Sequence, residues 1–284
     1  MRYSYATVAL PDLSPERAVE ELALAGYRGV EWKVGDSPRA TSSGAAAFVH
    51  GNQCTLAPGT AGCERIRARC AEAGLTIVGL CPYLQVGDTR GLSDMFDMAL
   101  AVGAPQIRLQ APRTDAGDFR YHDLASATVA YLSVAERLGQ RTGVRLVVET
   151  HHHTIAPSAS LACRLVSRFD PGVIGVIYDV GNLIWEGYED HQLGLQILGR
   201  YLHHVHLKNA APAPAPAAAT TRPYAWSPLD RGLVPVPRVL DLLRRAGYSG
   251  WISLEDLSTE RDPLATLRHN AAVLAAMPEA AWPG

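Results

Sequence analysis

The chain contains no long uninterrupted apolar segment, since no apolar run reaches the ~18 residues that cross a bilayer. Its first residues, Met-Arg-Tyr-Ser-Tyr-Ala, lead directly into a strand-like segment. They show no separate apolar region with a cleavage site, so we expect no secretory signal. These absences favour a cytoplasmic protein without a membrane partner.

Cysteine and one-sided charge are also scarce. The five cysteines are odd in number and form no Cys-x-x-Cys pair, which argues against a disulfide framework or a thiolate zinc site. The 26 basic and 28 acidic residues leave a net charge of −2, without the basic excess that is typical of nucleic-acid binding. No glycine-rich phosphate cradle is present, which favours a non-phosphorylated substrate.

Strand and helix signals alternate along the whole chain. Its 284 residues, 48% hydrophobic, suit one (β/α)8 barrel, which typically takes about 250 residues. The predicted strands are short and rich in Val, Ile and Leu, as expected for strands buried on both faces. They cover residues 3–10, 27–34, 75–83, 106–110, 144–150, 173–179, 202–208 and 250–255.

Strict β-α alternation implies parallel strands. Eight units favour a closed barrel over an open doubly wound sheet, and no Gly-x-Gly-x-x-Gly turn follows the first strand. The sequence therefore predicts an α/β protein, a single-domain (β/α)8 TIM barrel over residues 1–284.

Two segments interrupt the alternation, at about 36–58 and 210–231. The second contains the tract Ala-Pro-Ala-Pro-Ala-Pro, which is expected to be extended. Both follow the carboxyl ends of strands, where active sites of such barrels lie. A lid and a solvated surface loop are both open interpretations.

The last four predicted strands each end in a metal-type ligand, namely Glu149, Asp179, His206 and Glu255. Burying a carboxylate alone is costly, so four such groups on consecutive strand ends indicate a shared charge partner. Three carboxylates and one imidazole suit Mn²⁺, Mg²⁺ or Co²⁺ better than a thiolate-type zinc site. Each residue alone is as easily a helix cap or an ion-pair member; the combination carries the prediction.

Side-chain alternation adds further candidates to this face, since residues i and i+2 of a strand point the same way. His151 shares the face of Glu149, and Lys208 shares that of His206; His152 and His153 are assigned to the following loop. Glu31 and Lys33 end the second strand, and Arg108 in the fourth needs a partner if buried. Substrate binding and an ion-pair network in the barrel mouth are the alternatives for these residues.

These motifs resemble the xylose-isomerase-like TIM-barrel family, in the sugar phosphate isomerase/epimerase superfamily, most strongly from the fifth strand onward. The resemblance implies that Glu149, Asp179, His206 and Glu255 bind one divalent metal, often Mn²⁺. It also implies that Glu149 and Glu255 act as catalytic acid and base, and that the protein forms a homo-oligomer. The segments that carry it are Val147-Val-Glu-Thr-His151, Tyr178-Asp-Val-Gly-Asn182, His204-Val-His-Leu-Lys-Asn209 and Gly247-Tyr-Ser-Gly-Trp-Ile-Ser-Leu-Glu255.

The chain departs from this family at two positions. Asn182 stands where many relatives have histidine, three residues after the aspartate, and Asn209 stands where many have aspartate. An asparagine still binds a substrate hydroxyl, but it does not protonate at neutral pH. We therefore expect Asn182 to contact the substrate without acting as an acid.

The resemblance implies a sugar or polyol isomerase or epimerase that moves a proton next to a carbonyl through a metal-stabilised enediolate. A metal-dependent lyase or dehydratase is the alternative, acting on a keto-sugar, a 3-keto-glycoside (as a C-glycoside deglycosidase does) or an inosose. A barrel that only binds ligands is a further possibility. An AP-endonuclease-like nuclease is remote, because it needs about three metals and histidines on early strands, and the second to fourth strands have none.

Overall fold

A computed structural model describes residues 1–35, 47–115, 117–186, 189–214 and 223–277. Eight parallel strands run in chain order around a closed sheet, and the first pairs with both the second and the eighth. They are β1 (Arg2–Ala6), β2 (Gly29–Val34), β3 (Thr76–Cys81), β4 (Gln106–Gln110), β5 (Arg145–Glu149), β6 (Ile174–Asp179), β7 (Leu202–Leu207) and β8 (Trp251–Leu254). The predicted TIM barrel is confirmed.

Eight main helices follow the strands and cover the outside of the barrel. Ser14 begins the first by accepting a hydrogen bond from the backbone N–H of Arg17 at 3.2 Å, and Asp88 begins the third in the same way. The helices are α1 (Pro15–Leu24), α2 (Cys63–Glu72), α3 (Thr89–Val102), α4 (Tyr121–Thr142), α5 (Ala159–Val166), α6 (His191–Leu198), α7 (Val236–Arg245) and α8 (Pro263–Ala275). None of the helices in the described ranges is long and apolar enough to cross a membrane.

The first strand is shorter than the sequence predicts. It ends at Ala6, and Thr7–Ala9 form a 3₁₀ turn instead of continuing to residue 10. The Thr7 hydroxyl accepts a hydrogen bond from the backbone N–H of Lys33 at 2.8 Å. This contact holds the turn against the end of β2, so apolar residues that resemble a strand in sequence bend across the barrel mouth.

The described parts of the two segments that interrupt the alternation, at about 36–58 and 210–231, contain secondary structure. The first contains a short helix, Ala47–His50, and a two-residue strand, Thr55–Leu56, that pairs with β2. The second contains a hairpin in which Asn209–Pro212 pairs with Tyr224–Ser227. Residues 36–46 and 215–222 lie outside the described residues, and the lid interpretation falls largely on them.

The core has an apolar outer layer and a polar interior near the carboxyl ends of the strands. Trp32, Tyr178 and Phe96 are among the largest fully buried side chains. Glu31 and Arg108 are buried as well. Because unpaired charges are costly to bury, this interior requires a connected set of ion pairs and hydrogen bonds, and the candidate site is built from that set.

Candidate metal centre and active site

The four predicted ligands converge at the carboxyl end of the barrel. Glu149, Asp179, His206 and Glu255 each offer one ligand atom, and these atoms all lie within 4.8 Å of one another. Asp179 and His206 are opposite each other in the pairing of β6 with β7. Glu255 follows β8 directly, with its backbone N–H donating to the Leu207 carbonyl at 3.1 Å. Parallel pairing therefore brings four strand ends to one point.

The donor set fits a divalent cation. The Nδ1 atom of His206 lies 3.3 Å from Glu149 Oε1, 3.6 Å from Asp179 Oδ2 and 3.9 Å from Glu255 Oε2. Two ligands on opposite sides of an ion at ~2.1 Å are about 4.2 Å apart, so these separations need only small adjustments. Oxygen-rich ligands with one imidazole suit Mn²⁺ or Mg²⁺, as the sequence predicts.

Two basic side chains offset the three buried carboxylates. The Nη1 atom of Arg108 donates to Glu149 Oε2 at 2.8 Å, which supplies the partner that a buried arginine needs. Lys208 Nζ lies 2.8 Å from Asp179 Oδ2 and also contacts Glu255 Oε2. Burial alone would raise the pKa of Glu149, but Arg108 and His206 outweigh it and hold that pKa well below its usual value. Glu149 is therefore ionised and able to bind a cation.

Glu31 contacts the edge of the His206 ring that points away from the other three carboxylates. Its Nε2–H donates to Glu31 Oε2 at 2.8 Å, and His204 Nε2 lies 3.5 Å from the same oxygen. Burial alone would raise the pKa of Glu31, but His206 and His204 lower it well below its usual value. A carboxylate behind a ligand histidine fixes the tautomer and orients the ring. Glu31, a predicted substrate contact, thus lies against a candidate ligand.

This contact belongs to a wider network inside the barrel. The His204 ring forms a 3.0 Å hydrogen bond with Ser253 Oγ, which in turn lies 2.7 Å from Ser4 Oγ. His204 and Ser253 were not among the predicted site residues. The signal for His204 was present, because it shares the inward face of His206 two residues later.

The predicted substrate contacts Asn182 and His151 are engaged with the protein. Asn182 is fully buried, with Nδ2 donating to the Thr150 carbonyl at 3.1 Å and Oδ1 accepting from His152 Nδ1 at 2.8 Å. His151 donates from Nδ1 to the His152 carbonyl at 2.7 Å. Asn182 therefore orients the loop after β5 through these two hydrogen bonds.

The ring of His152 packs against neighbouring rings, although the residue lies in a loop. Its ring stacks on His151 at 4.4 Å and on Trp185 at 4.9 Å between ring centroids. Trp185 in turn packs against Trp226, whose ring lies 4.7 Å from Lys208 Nζ. An aromatic wall thus borders the metal-type cluster. Sequence reasoning missed both tryptophans because they lie outside the barrel strands, Trp185 in a turn after β6 and Trp226 in the hairpin after β7.

Replacing His152 with glutamine is expected to reduce the loss of stability in mild acid. Burial, with smaller contributions from His151 and Lys208, lowers the pKa of His152 to about 3. In the unfolded chain the pKa of this side chain is near 6.5. The free energy of unfolding therefore has its full value above that pH and decreases as the pH falls from about 6.5 to about 3. Urea unfolding at pH 7 and pH 5 should show the native protein losing about 2 kcal/mol more than the variant. Equal losses would contradict this assignment.

The fold and the site define a TIM barrel with a metal-type centre at its carboxyl end. The family described as xylose isomerase-like TIM barrel matches residues 19–277, and the chain belongs to that family. The resemblance predicted from the strand-end motifs is confirmed.

Curated relatives include an inosose dehydratase from Geobacillus thermodenitrificans, 28% identical over 137 residues that cover 44% of each protein. The match thus spans less than half the length of that relative. Similar solved structures include the probable 3-DHS dehydratase AsbF from Bacillus anthracis, with 19% identity, a TM-score of 0.73 and coverage of 97% and 99%. The 3-keto-D-glucoside 4-epimerase YcjR from E. coli shows 16% identity, a TM-score of 0.72 and the same coverage. The IolI protein with a bound zinc atom shows 13% identity, a TM-score of 0.71 and coverage of 99% and 98%.

Proposed function

We propose that the protein is a divalent-metal-dependent enzyme that moves a proton next to the carbonyl of a keto-sugar or cyclic keto-polyol. The observation that carries this proposal is the convergence of three buried carboxylates and one imidazole. A divalent ion held there would supply positive charge to the substrate oxygens as the adjacent carbon loses its proton. Mn²⁺ is our first choice on donor chemistry, with Mg²⁺, Co²⁺ and the zinc of the IolI structure as the alternatives to test.

Glu255 is the carboxylate best placed to act as the base. Its Oε2 contacts Lys208, whereas Oε1 accepts no hydrogen bond from any described residue. Glu255 also lines a depression with Lys33, Tyr83 and Arg108. Both oxygens of Glu149 are engaged, by His206 and Arg108, so Glu149 is held as a ligand. Oε1 of Glu255 is thus free to move a proton, while Oε2 lies among the metal-type ligand atoms.

A single free carboxylate supports a complete reaction. Glu255 takes the proton from the carbon next to the carbonyl; the electron pair of that C–H bond forms a double bond to the carbonyl carbon, and the carbonyl π pair moves to the carbonyl oxygen. In an elimination, that oxygen's pair re-forms the carbonyl, the double bond shifts to the next carbon as its C–O bond breaks, and the hydroxyl leaves as water with the proton that Glu255 returns. In an isomerisation, Glu255 returns the proton to the former carbonyl carbon, the hydroxyl on the first carbon loses its proton and becomes the new carbonyl, and the former carbonyl oxygen gains a proton and becomes a hydroxyl.

Elimination is our first proposal among these outcomes, because the inosose dehydratase relative and the dehydratase neighbour carry out such reactions by name. Epimerisation is the second candidate. It requires a second base on the opposite face of the substrate, and Glu149 is the residue for that role. It would have to exchange its Arg108 contact for the substrate.

The test is a proton-exchange and product assay. Purified enzyme loaded with Mn²⁺ would be incubated in D₂O with an inosose, a ketohexose and a 3-keto-glycoside, and the products followed by NMR. We expect deuterium next to the carbonyl and loss of water from at least one substrate, both abolished by a chelator. A deuterated diastereomer without loss of water would favour epimerisation, and no exchange in any substrate would contradict the proposal.

We propose a cytoplasmic location on the state of the cysteines. All five are free thiols, and four of them are buried. Unpaired thiols are the ordinary state in a reducing compartment.

A further inference from the structure

Lysine is nearly absent from this chain, and both copies lie at the candidate site. Lysine and arginine together number 26, but only Lys33 and Lys208 are lysines. Both are buried, with 5% and 2% exposure. Lys33 lies near the end of β2, and Lys208 follows β7 directly. Lysine ammonium groups are therefore present at two points of the barrel mouth and at no other position in the sequence.

The two lysines differ in their partners. Lys208 lies against the carboxylates of Asp179 and Glu255. Lys33 forms no ion pair with any described residue, and its ammonium donates no hydrogen bond to one. Its Nζ atom lies 5.2 Å from the centroid of the Tyr83 ring.

Arg108 lies near the same aromatic ring and has one N–H group without a hydrogen-bond partner among the described residues. Its guanidinium carbon is 5.0 Å from the Tyr83 centroid. Its Nη atoms donate to Glu149 and to the Pro82 carbonyl, but the buried Nε–H has no hydrogen-bond partner. Two cations therefore share one ring, and each keeps an unused donor.

The energetics of burial argue that Lys33 lacks an anion, since Arg108 already pairs with Glu149. Burying a charged group costs several kcal/mol unless it is paired. A cation–π contact returns about 0.5–2 kcal/mol, which does not offset that cost. Glu31 forms no ion pair with Lys33, and its Oε2 contacts His206 and His204 instead. Burial and the charge of Arg108 lower the pKa of Lys33, which is the effect that a bound anion would reverse.

We propose that Lys33 and Arg108 form an anion subsite beside the metal centre, and that the substrate is a keto-polyol carrying a carboxylate. Both residues line the same depression as Glu255, so an anion held between them would be part of a molecule that reaches the proposed base. Two free donors match the two oxygens of a carboxylate. Phosphate, with three free oxygens, would leave acceptors unsatisfied.

This inference deepens the proposed function and rests on it for the position of the substrate, but its test requires no turnover. D-gluconate and D-glucitol are matched six-carbon polyols that differ at one terminal group, and neither has a ketone. Enzyme loaded with Mg²⁺, which is diamagnetic, would be titrated with each ligand by calorimetry. We expect gluconate to bind at least about tenfold more tightly than glucitol, as charge-assisted hydrogen bonds require.

The scarcity of lysine gives a direct spectroscopic readout. Protein labelled with ¹³C-lysine should show two side-chain Cε signals, and the Lys33→Arg variant identifies the signal of Lys33. We expect gluconate to shift that signal and glucitol to leave it unchanged. Lys33→Gln should lose the preference for gluconate, and Lys33→Arg should retain most of it. Arg245→Gln removes an exposed charge at the end of α7 and should bind gluconate as the native protein does.

Three results would overturn the proposal. Gluconate could bind no more tightly than glucitol, or Lys33→Gln could retain the full preference, which would place the carboxylate on the metal instead. Inorganic phosphate could shift the Lys33 signal where gluconate does not, which would replace the carboxylate by a phosphate. Failure of the exchange assay leaves these binding results intact, so the two proposals fail separately.

Discussion

Replacing Glu255 with glutamine is expected to lower turnover by roughly a hundred- to ten-thousandfold, the usual contribution of a positioned general base. Glutamine keeps the length of the side chain and one oxygen donor, but it does not accept the proton. Oε2 of Glu255 contacts Lys208, whereas Oε1 accepts no hydrogen bond from a described residue and is free to take the proton. Steady-state rates with the best substrate of the exchange assay give the measurement.

The matched comparison is Glu149→Gln. If one carboxylate performs the proton transfers, Glu255→Gln should abolish deuterium exchange even at saturating metal, whereas Glu149→Gln should act mainly by weakening metal binding and recover in part at high metal concentration. Glu260→Gln, an exposed carboxylate paired with Arg231, should behave as the native protein. A Glu255→Gln enzyme that keeps more than about a tenth of native turnover would remove Glu255 from the mechanism.

Replacing Glu31 with glutamine is expected to weaken divalent-metal binding by about ten- to a hundredfold. The Glu31 carboxylate accepts the Nε2–H of His206, which leaves Nδ1 facing the three carboxylates. A glutamine amide can donate as well as accept a hydrogen bond, so it no longer enforces this tautomer. The substitution also removes the negative charge next to His206. Calorimetric titration of metal-free protein with Mn²⁺ measures the affinity directly, without reference to turnover.

Glu21 provides the control for this experiment. It is a carboxylate with 1% exposure on α1 and pairs with Arg17 and Arg268, on the outside of the barrel. Glu21→Gln should lower the free energy of unfolding and leave metal affinity unchanged. Equal losses of affinity in both variants would reduce Glu31 to a general structural role, and native affinity in Glu31→Gln would remove it from the site.

The barrel and the convergence of Glu149, Asp179, His206 and Glu255 could be predicted from the sequence because both follow from local rules. Alternating strand and helix signals imply parallel strands, and the carboxyl ends of parallel strands meet at one edge. Two-residue alternation then places Glu149 and His206 on the inner face. These rules do not depend on the distances between strands, so the sequence alone predicts that the four residues converge.

The pairing inside the barrel could not be predicted in the same way. Glu31 on β2 reaches His206 on β7 across the interior, and β1 and β8 lie between those strands around the sheet. Such a contact depends on barrel radius and strand tilt, which no short motif encodes. For the same reason the sequence placed Lys33 and Lys208 at the mouth, but it did not show which of them lacks a carboxylate. The stacking of His152 on Trp185 joins two loops, and no sequence pattern predicts it either.

The central claim is that one divalent ion binds at the four strand ends. Metal analysis of protein reconstituted with Mn²⁺, combined with anomalous scattering from a crystal, tests it most directly. We expect one ion per chain, about 2.0–2.3 Å from Glu149, Asp179, His206 and Glu255, and loss of that ion in Asp179→Asn. No bound ion, an ion elsewhere, or about three ions per chain as in a nuclease site would contradict the account.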